Sequence, residues 1–290
     1  MGNASDSDVL AAHLASINRF GAPAPRQVAD VTACSRRAAL VMALAASHSL
    51  PSRANGLPGL IAKVKESVCP VGAYSVLDNP RFSFRGTGFA VGDGTLVATC
   101  WHVVAAVEAS TAERPGSRAI AVQLPKADGS FTTHEAIVAA VDRSRDLALL
   151  RMREGKAAPL TLSTETTVVE GTDVALMGFP IGGVLGYRHV THRGIVASHV
   201  ASDLPTANAR QLNEGSVARL RQGSFELLQL DATAYPGNSG GPLLDVESGR
   251  VVGVVNMVLL KGNRESALSQ PTGITYAVPA RYLVALLGQA

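Results

Sequence analysis

Three observations predict an all-β fold for this chain. Short β-prone runs recur from residue 88 to residue 278, most gaps between them carry Gly, Asp, Asn or Pro, and long helical periodicity is absent. Many short strands separated by such turn residues belong to a sandwich or a barrel. The 28 Gly and 15 Pro among 290 residues fit a chain with many turns.

In chain order the runs are Gly88–Val91, Leu96–Thr99, Ile120–Leu124, Ile137–Val141, Leu147–Met152, Val174–Met177, Gly194–Ser198, Phe225–Leu230, Pro242–Leu244, Val251–Met257 and Ile274–Val278. Most are rich in Val, Ile, Leu or Phe, side chains that pack well on a pleated, half-buried surface. Helical pattern is confined to Val103–Ala109 and to a short C-terminal helix, Ala280–Leu287.

Composition narrows the function. At about 150 residues per domain, the length suits one or two compact units. Apolar residues make up 47% and charged residues only 17%, so a core forms and a disordered chain is excluded. The net charge is +3, of which five Arg and three Asp place +2 within residues 1–54. Without a clustered basic face, the sequence does not point to nucleic acid as a partner. None of the three Cys stands in a C-x-x-C spacing, which argues against a zinc or redox motif. No run of 18 apolar residues exists to span a membrane as a helix.

Residues 1–54 differ from the rest. Ser35-Arg36-Arg37 precedes the apolar stretch Ala38–Ala46, and Pro51-Ser52-Arg53-Ala54 follows. A charged segment, a short apolar stretch and small residues describe an export signal. The paired arginines resemble a twin-arginine signal. The segment is therefore read as an N-terminal extension that directs the protein to the periplasm or outside the cell. The alternatives are an amphipathic helix packed on the domain of a cytoplasmic protein, or a start codon set too far upstream. Residues 55–290 read as the functional domain.

Three segments carry the chemistry. They are Gly86–Val91 with Leu96–Val104, then Asp142–Leu150, then Asp231–Leu243. In the third, Ser239 stands amid Gly237, Gly240 and Gly241, between Pro236 and Pro242. Such a run permits a tight turn, which can aim successive N–H groups at one developing oxyanion. A Gly-rich hairpin or an anion-binding nest is the alternative, but a phosphate loop needs a Lys after its glycines. A serine hydroxyl requires a base within hydrogen-bond reach, and a carboxylate must hold that base in the right tautomer. His102, at the end of a β-like run, and Asp146, ahead of Leu-Ala-Leu-Leu, are the candidates. Asp142 is the rival carboxylate. Alone, each reads as well as a structural residue; the three together in this order do not.

This order and its flanks resemble the trypsin-like serine proteases, and most closely their HtrA/Deg branch. Further segments carry the resemblance: Gly171–Val174, Gly178-Phe-Pro180, Thr191–Val196, Leu230-Asp-Ala232, Val252–Asn256 and Tyr276–Pro279. The similarity runs from about residue 60 to 288. It implies two antiparallel six-stranded β-barrels of the chymotrypsin type, at about 60–160 and 165–288. It makes His102 the general base, Asp146 its orienting partner and Ser239 the nucleophile, with the Gly237 and Ser239 amides as oxyanion hole. The implied activity is cleavage of protein or peptide substrates, with no metal or cofactor. Cys100 and Trp101 stand where the family has small residues. No PDZ sequence follows Pro279, so peptide-gated regulation is not expected.

The resemblance also places a specificity pocket. Thr233 matches its floor, Met257 and Val258 its wall, with Gly273 and Ile274 facing them. A neutral floor and a bulky wall predict cleavage after small or medium aliphatic residues. Two other readings use the same cleft: a catalytically silent module that binds peptides or proteins, and an esterase. His189 and His192 form H-x-x-H, but a β pattern turns them to opposite faces, so they read as structural. Gly178–Gly186 lacks the strand–helix context of a dinucleotide site. Cys69 and Cys100 read as two buried thiols, or as a disulfide pair in an exported protein.

Overall fold

The computed structural model describes residues 56–112, 118–182, 186–202, 224–257 and 273–290. These belong to one compact unit, Arg53–Ala290. The export-signal segment, Cys34 and Val258 lie outside the described residues.

Twelve strands close into two antiparallel barrels. The chain opens with a helix, α1 (Leu57–Val64), and a single 3-10 turn at Lys65–Ser67. The first barrel follows: β1 (Val68–Tyr74), β2 (Phe82–Val91), β3 (Leu96–Cys100), β4 (Ala119–Pro125), β5 (Phe131–Asp142) and β6 (Leu147–Met152). Its strand order is β1-β2-β3-β6-β5-β4. The second comprises β7 (Asp173–Gly178), β8 (Val190–Ala201), β9 (Glu226–Asp231), β10 (Pro242–Asp245), β11 (Val251–Asn256) and β12 (Ile274–Pro279), ordered β10-β11-β12-β9-β8-β7. Helix α2 (Trp101–Ala112) interrupts the first barrel after β3, and α3 (Ala280–Leu287) ends the chain. The expected all-β class, its two six-stranded barrels and the C-terminal helix are all present.

Closure leaves no open sheet edge in either barrel, and it buries strands on both faces. β3 and β11 are buried along their whole length. Helix α2 packs on β3 and β6, α3 on β6, and β11 of the second barrel against β3 of the first. This double burial explains the continuous apolar runs Leu96-Val-Ala and Leu147-Ala-Leu-Leu, which do not alternate. One hydrophobic cluster accordingly runs through both barrels, from Val71, Phe89 and Leu149 to Val254, Leu283 and Leu286.

Strand β1 is absent from the predicted runs. Its sequence, Val-Cys-Pro-Val-Gly-Ala-Tyr, holds a Pro and a Gly that argue against a strand. In the fold, Gly72 sits at a register shift between Val71 and Gly72. There an added Cβ would stand 2.2 Å from the Ser83 carbonyl oxygen, so the close backbone approach requires glycine. Helix α2 starts at Trp101, two residues ahead of the predicted Val103, and so contains His102. Strand β11 ends at Asn256, one residue before the predicted Met257.

Candidate active site

His102 lies in the first turn of α2 rather than at a strand tip, and the cause is tertiary. Early N–H groups of a helix lack intrahelical acceptors. Here the Asp146 carboxylate accepts the His102 amide at Oδ1 (2.7 Å), while the Asp146 carbonyl accepts the Trp101 amide (3.0 Å). Asp146 reaches them from the turn before β6, with φ 56°. The left-handed region is one that Asp tolerates better than most residues. Its second oxygen, Oδ2, stands 2.5 Å from His102 Nδ1. The side-chain amide of Asn256, at the end of β11, donates to that same oxygen at 2.7 Å.

Asp142 is excluded from this arrangement. It accepts hydrogen bonds from Ser144 Oγ and the Arg145 guanidinium. Burial works to raise its carboxyl, but those bonds outweigh it and hold the group below the ordinary Asp range.

Ser239 lies between β9 and β10 with only 6% of its surface exposed. Its carbonyl accepts the Thr87 amide at 2.9 Å, which ties it to β2 of the other barrel. Thr99 Oγ1 donates to the Thr87 carbonyl (2.7 Å), so the serine turn also rests against β3, just ahead of His102. Gly240 has φ +85°, and a Cβ there would meet Thr87 O at 2.2 Å and Thr99 Oγ1 at 2.3 Å. Ser239 Oγ makes no hydrogen bond to His102 among the described residues; such bonds often tighten only with substrate present.

Tracing the backbone amides of the turn isolates two donors. Pro236 O accepts from the Ile181 amide, Gly237 O from the Thr87 hydroxyl, Asn238 O from the Gly241 amide and Ser239 O from the Thr87 amide. Among the amides, Asn238 donates to Tyr235 O, Gly240 to Val255 O and Gly241 to Asn238 O. The amides of Gly237 and Ser239 donate to no group among the described residues. Gly237, with φ +104°, admits no side chain, because a Cβ would lie 2.3 Å from Phe179 O.

The candidate pocket residues are placed less completely. The register sets Ile274 opposite Asp231 and Tyr276 opposite Asn256. The Ala232 amide donates to Gly273 O, and the Thr275 hydroxyl to Ala232 O, so the backbone leading to Thr233 runs beside Gly273–Thr275. Met257 packs on the core of the second barrel, and Ile274 is 44% exposed. A surface hollow of about 620 Å³ lies elsewhere, lined by Glu108, Arg118, Ile137 and neighbours, none of them a site residue.

Cys69 and Cys100 are buried free thiols. Burial pushes Cys69 up to about 12. Burial and the neighbouring Asp146 carboxylate hold Cys100 well above the ordinary thiol range. Cys100, His102 and Asp146 offer three metal-ligand atoms within 4.8 Å of one another. His102 Nδ1 and Asp146 Oδ2 already engage each other, however, and the Asn256 amide reaches both Oδ2 and, at 3.6 Å, Cys100 Sγ. The H-x-x-H pair splits: His189 Nε2 bonds Val68 O at 2.8 Å, whereas the His192 ring lies against Tyr235.

Two residues of the site carry no role in the sequence reading. Asn256 belongs to the recognised Val252–Asn256 segment, and Thr87 to Gly86–Val91, but neither has a spacing that announces its partner. Their contacts span 110 and 150 residues.

An imidazole–carboxylate pair on one barrel and a serine turn with two free amides on the other define a chymotrypsin-type domain. The chain belongs to the trypsin-like peptidase domain family, whose model matches residues 86–254. It is 31% identical over 242 residues to the mitochondrial serine protease HTRA2 of Bos taurus, covering 80% of this chain and 43% of that protein. It is 28% identical over 204 residues to the chloroplastic Protease Do-like 5 of Arabidopsis thaliana, covering 70% and 55%. The chain thus spans about half the length of the curated relatives it matches. Among solved structures, Deg5 superposes with a TM-score of 0.55 at 22% identity over 81% of this chain and 94% of that one. The active form of the Rv3671c protease of M. tuberculosis gives 0.55 at 22% over 83% and 86%. These structural likenesses bear on the fold.

Proposed function

We propose that this chain is a serine endopeptidase in which Ser239 is the nucleophile, His102 the general base and Asp146 its orienting partner. The observation that carries the reading is the pair of amides, Gly237 and Ser239, that have no acceptor among the described residues while the neighbouring amides of Asn238, Gly240 and Gly241 are all bonded. Two donors so placed suit the oxyanion of an acyl-transfer intermediate. Ser239 Oγ attacks the scissile carbonyl and His102 Nε2 takes its proton. His102 then protonates the leaving amine, and water repeats the cycle to release the acid and free the serine. Asp146 Oδ2, against Nδ1, keeps Nε2 the basic nitrogen and stabilises the imidazolium.

Cleavage after small or medium aliphatic residues is the proposed preference. It rests on a neutral Thr233 at the pocket-floor position and on Met257, Val258, Gly273 and Ile274 around it. A peptide-library profile dominated by Arg or Lys overturns it. The proposed location is periplasmic or secreted, on the strength of Ser35-Arg36-Arg37; N-terminal sequencing of protein recovered from those fractions tests it. Among the described residues no helix is long and apolar enough to cross a membrane.

Fluorophosphonate labelling tests the chemistry, with Ser239→Ala as control. Labelling that disappears in the variant is expected, together with cleavage of casein. A folded wild type that resists the probe makes the cleft a binding module instead. Labelling without casein cleavage points to an ester substrate.

A further inference from the structure

We infer that Thr87 is a positioning residue that keeps the Pro236–Gly237 peptide of the oxyanion hole in its working orientation. The inference rests on the proposed role of the Gly237 and Ser239 amides and adds what keeps them aimed.

In a trans peptide the carbonyl and the N–H point in opposite directions. The direction of the Gly237 N–H is therefore set by whatever holds the carbonyl of Pro236. That carbonyl accepts the Ile181 amide at 2.8 Å. Ile181 delivers its amide from a backbone at φ +60°, one of only two positive-φ non-glycine residues among those described. A β-branched residue persists there only where its surroundings impose it.

Thr87 is where those surroundings converge. Its side chain is fully buried, and its hydroxyl donates to Gly237 O at 2.6 Å while accepting the Phe179 amide at 3.2 Å. One hydroxyl thus joins the serine turn to the 179–182 turn that carries Ile181. The Thr87 amide adds a third tie, to Ser239 O. Gly178 and Gly237 leave room for this approach: a Cβ on Gly178 would stand 2.9 Å from Thr87 Oγ1, and one on Gly237 3.3 Å from the Ile181 nitrogen. Without the hydroxyl, Gly237 O and the Phe179 amide are both stranded in a buried place, where an unmet polar group is costly. The 179–182 turn then loses its side-chain tie to the serine turn, the Ile181 amide no longer fixes Pro236 O, and rotation of the Pro236–Gly237 peptide removes one oxyanion donor. The Thr87 hydroxyl hydrogen-bonds Gly237 O and the Phe179 amide and neither His102 nor Asp146, so a change confined to its side chain acts on the hole.

The test compares Thr87→Val, which keeps the shape without the hydroxyl, with Thr87→Ser, which keeps the hydroxyl. The full chain is used and the rate of fluorophosphonate labelling is read. A displaced hole is expected to slow Thr87→Val by about 10²-fold. Thr87→Ser stays within a few-fold of wild type, and the pH midpoint of labelling moves in neither. Equal rates for wild type and a folded Thr87→Val, or equal losses in both variants, overturn the inference. The backbone amide resonance of Gly237 gives a second reading that needs no activity. It is expected to shift in Thr87→Val and to hold in Thr87→Ser, and an unchanged resonance in both also overturns the clamp. A wild type that does not label strikes at the proposed function, while the resonance still decides on the clamp.

Discussion

At the scale of single residues, the Asp146 carboxylate does more than any other group described. It caps the first turn of α2 through Oδ1 and meets both His102 Nδ1 and the Asn256 amide at Oδ2. Replacing Asp146 by Asn keeps the shape but favours the wrong imidazole tautomer, and turnover is expected to fall by about 10⁴-fold. Asn256→Ala removes a charge-assisted bond worth roughly 1.5–3 kcal/mol. Steady-state kinetics should show kcat lower by about 10- to 100-fold. Asn256→Asp sets a second carboxylate against the first, and two such groups cannot both ionise readily. The acid limb of the rate–pH profile then moves upward, and an unmoved limb removes Asn256 from the site. Of these residues, His102, Asp146 and Ser239 are legible in the sequence because each stands in a distinctive local string. Asn256 and Thr87 are not, because their importance lies in partners on the opposite barrel.

Elements show the same division between local and distant causes. Helix α3 agrees with its predicted bounds, Ala280–Leu287, because Pro279 sets its start and its apolar spacing is local. Leu283, fully buried, anchors it in the core shared by both barrels. Leu283→Ala is expected to cost about 2–5 kcal/mol, read from denaturant midpoints. Helix α2 starts earlier than its periodicity suggests because distant Asp146 caps its first two amides, Trp101 with its carbonyl and His102 with its carboxylate. Strand β1 escapes prediction for the opposite reason. Its Pro70 and Gly72 look like breakers, yet Gly72 is needed where β1 crosses close to Ser83. Gly72→Ala should therefore destabilise the first barrel more than strand propensity alone suggests, and a thermal midpoint equal to wild type would falsify that account.

For the whole molecule, the packing of the barrels sets the response to acid and to thiol reagents. His189 reaches from the second barrel's β7–β8 connection to Val68 O on β1, its ring 4.6 Å from that of Phe179. Burial, foremost, depresses its pKa below 6.5, so the folded state favours the neutral ring. The unfolded chain then binds the extra proton first. The stability tied to His189 is complete above about pH 6.5 and is lost as pH falls through the lower, folded value. A series of denaturant melts should show this decline, and His189→Gln should flatten it. Cys69 and Cys100 lie inside the first barrel with raised pKa values. Brief alkylation of the native protein followed by mass mapping is expected to leave both unmodified, and alkylation after denaturation to modify both.

The sequence by itself determined the all-β class, most strands, the terminal helix and the three side chains proposed for catalysis. Each of those is written in a short string: turn residues between apolar runs, or a histidine, aspartate and serine in characteristic flanks. The tertiary structure alone decided that His102 begins a helix, that Asn256 bonds Asp146 from the other barrel, and that Thr87 bonds the serine turn. Those outcomes depend on closing two barrels and setting one against the other. Closure brings a strand-end amide to a carboxylate and a buried hydroxyl to a glycine carbonyl, contacts that no local pattern encodes.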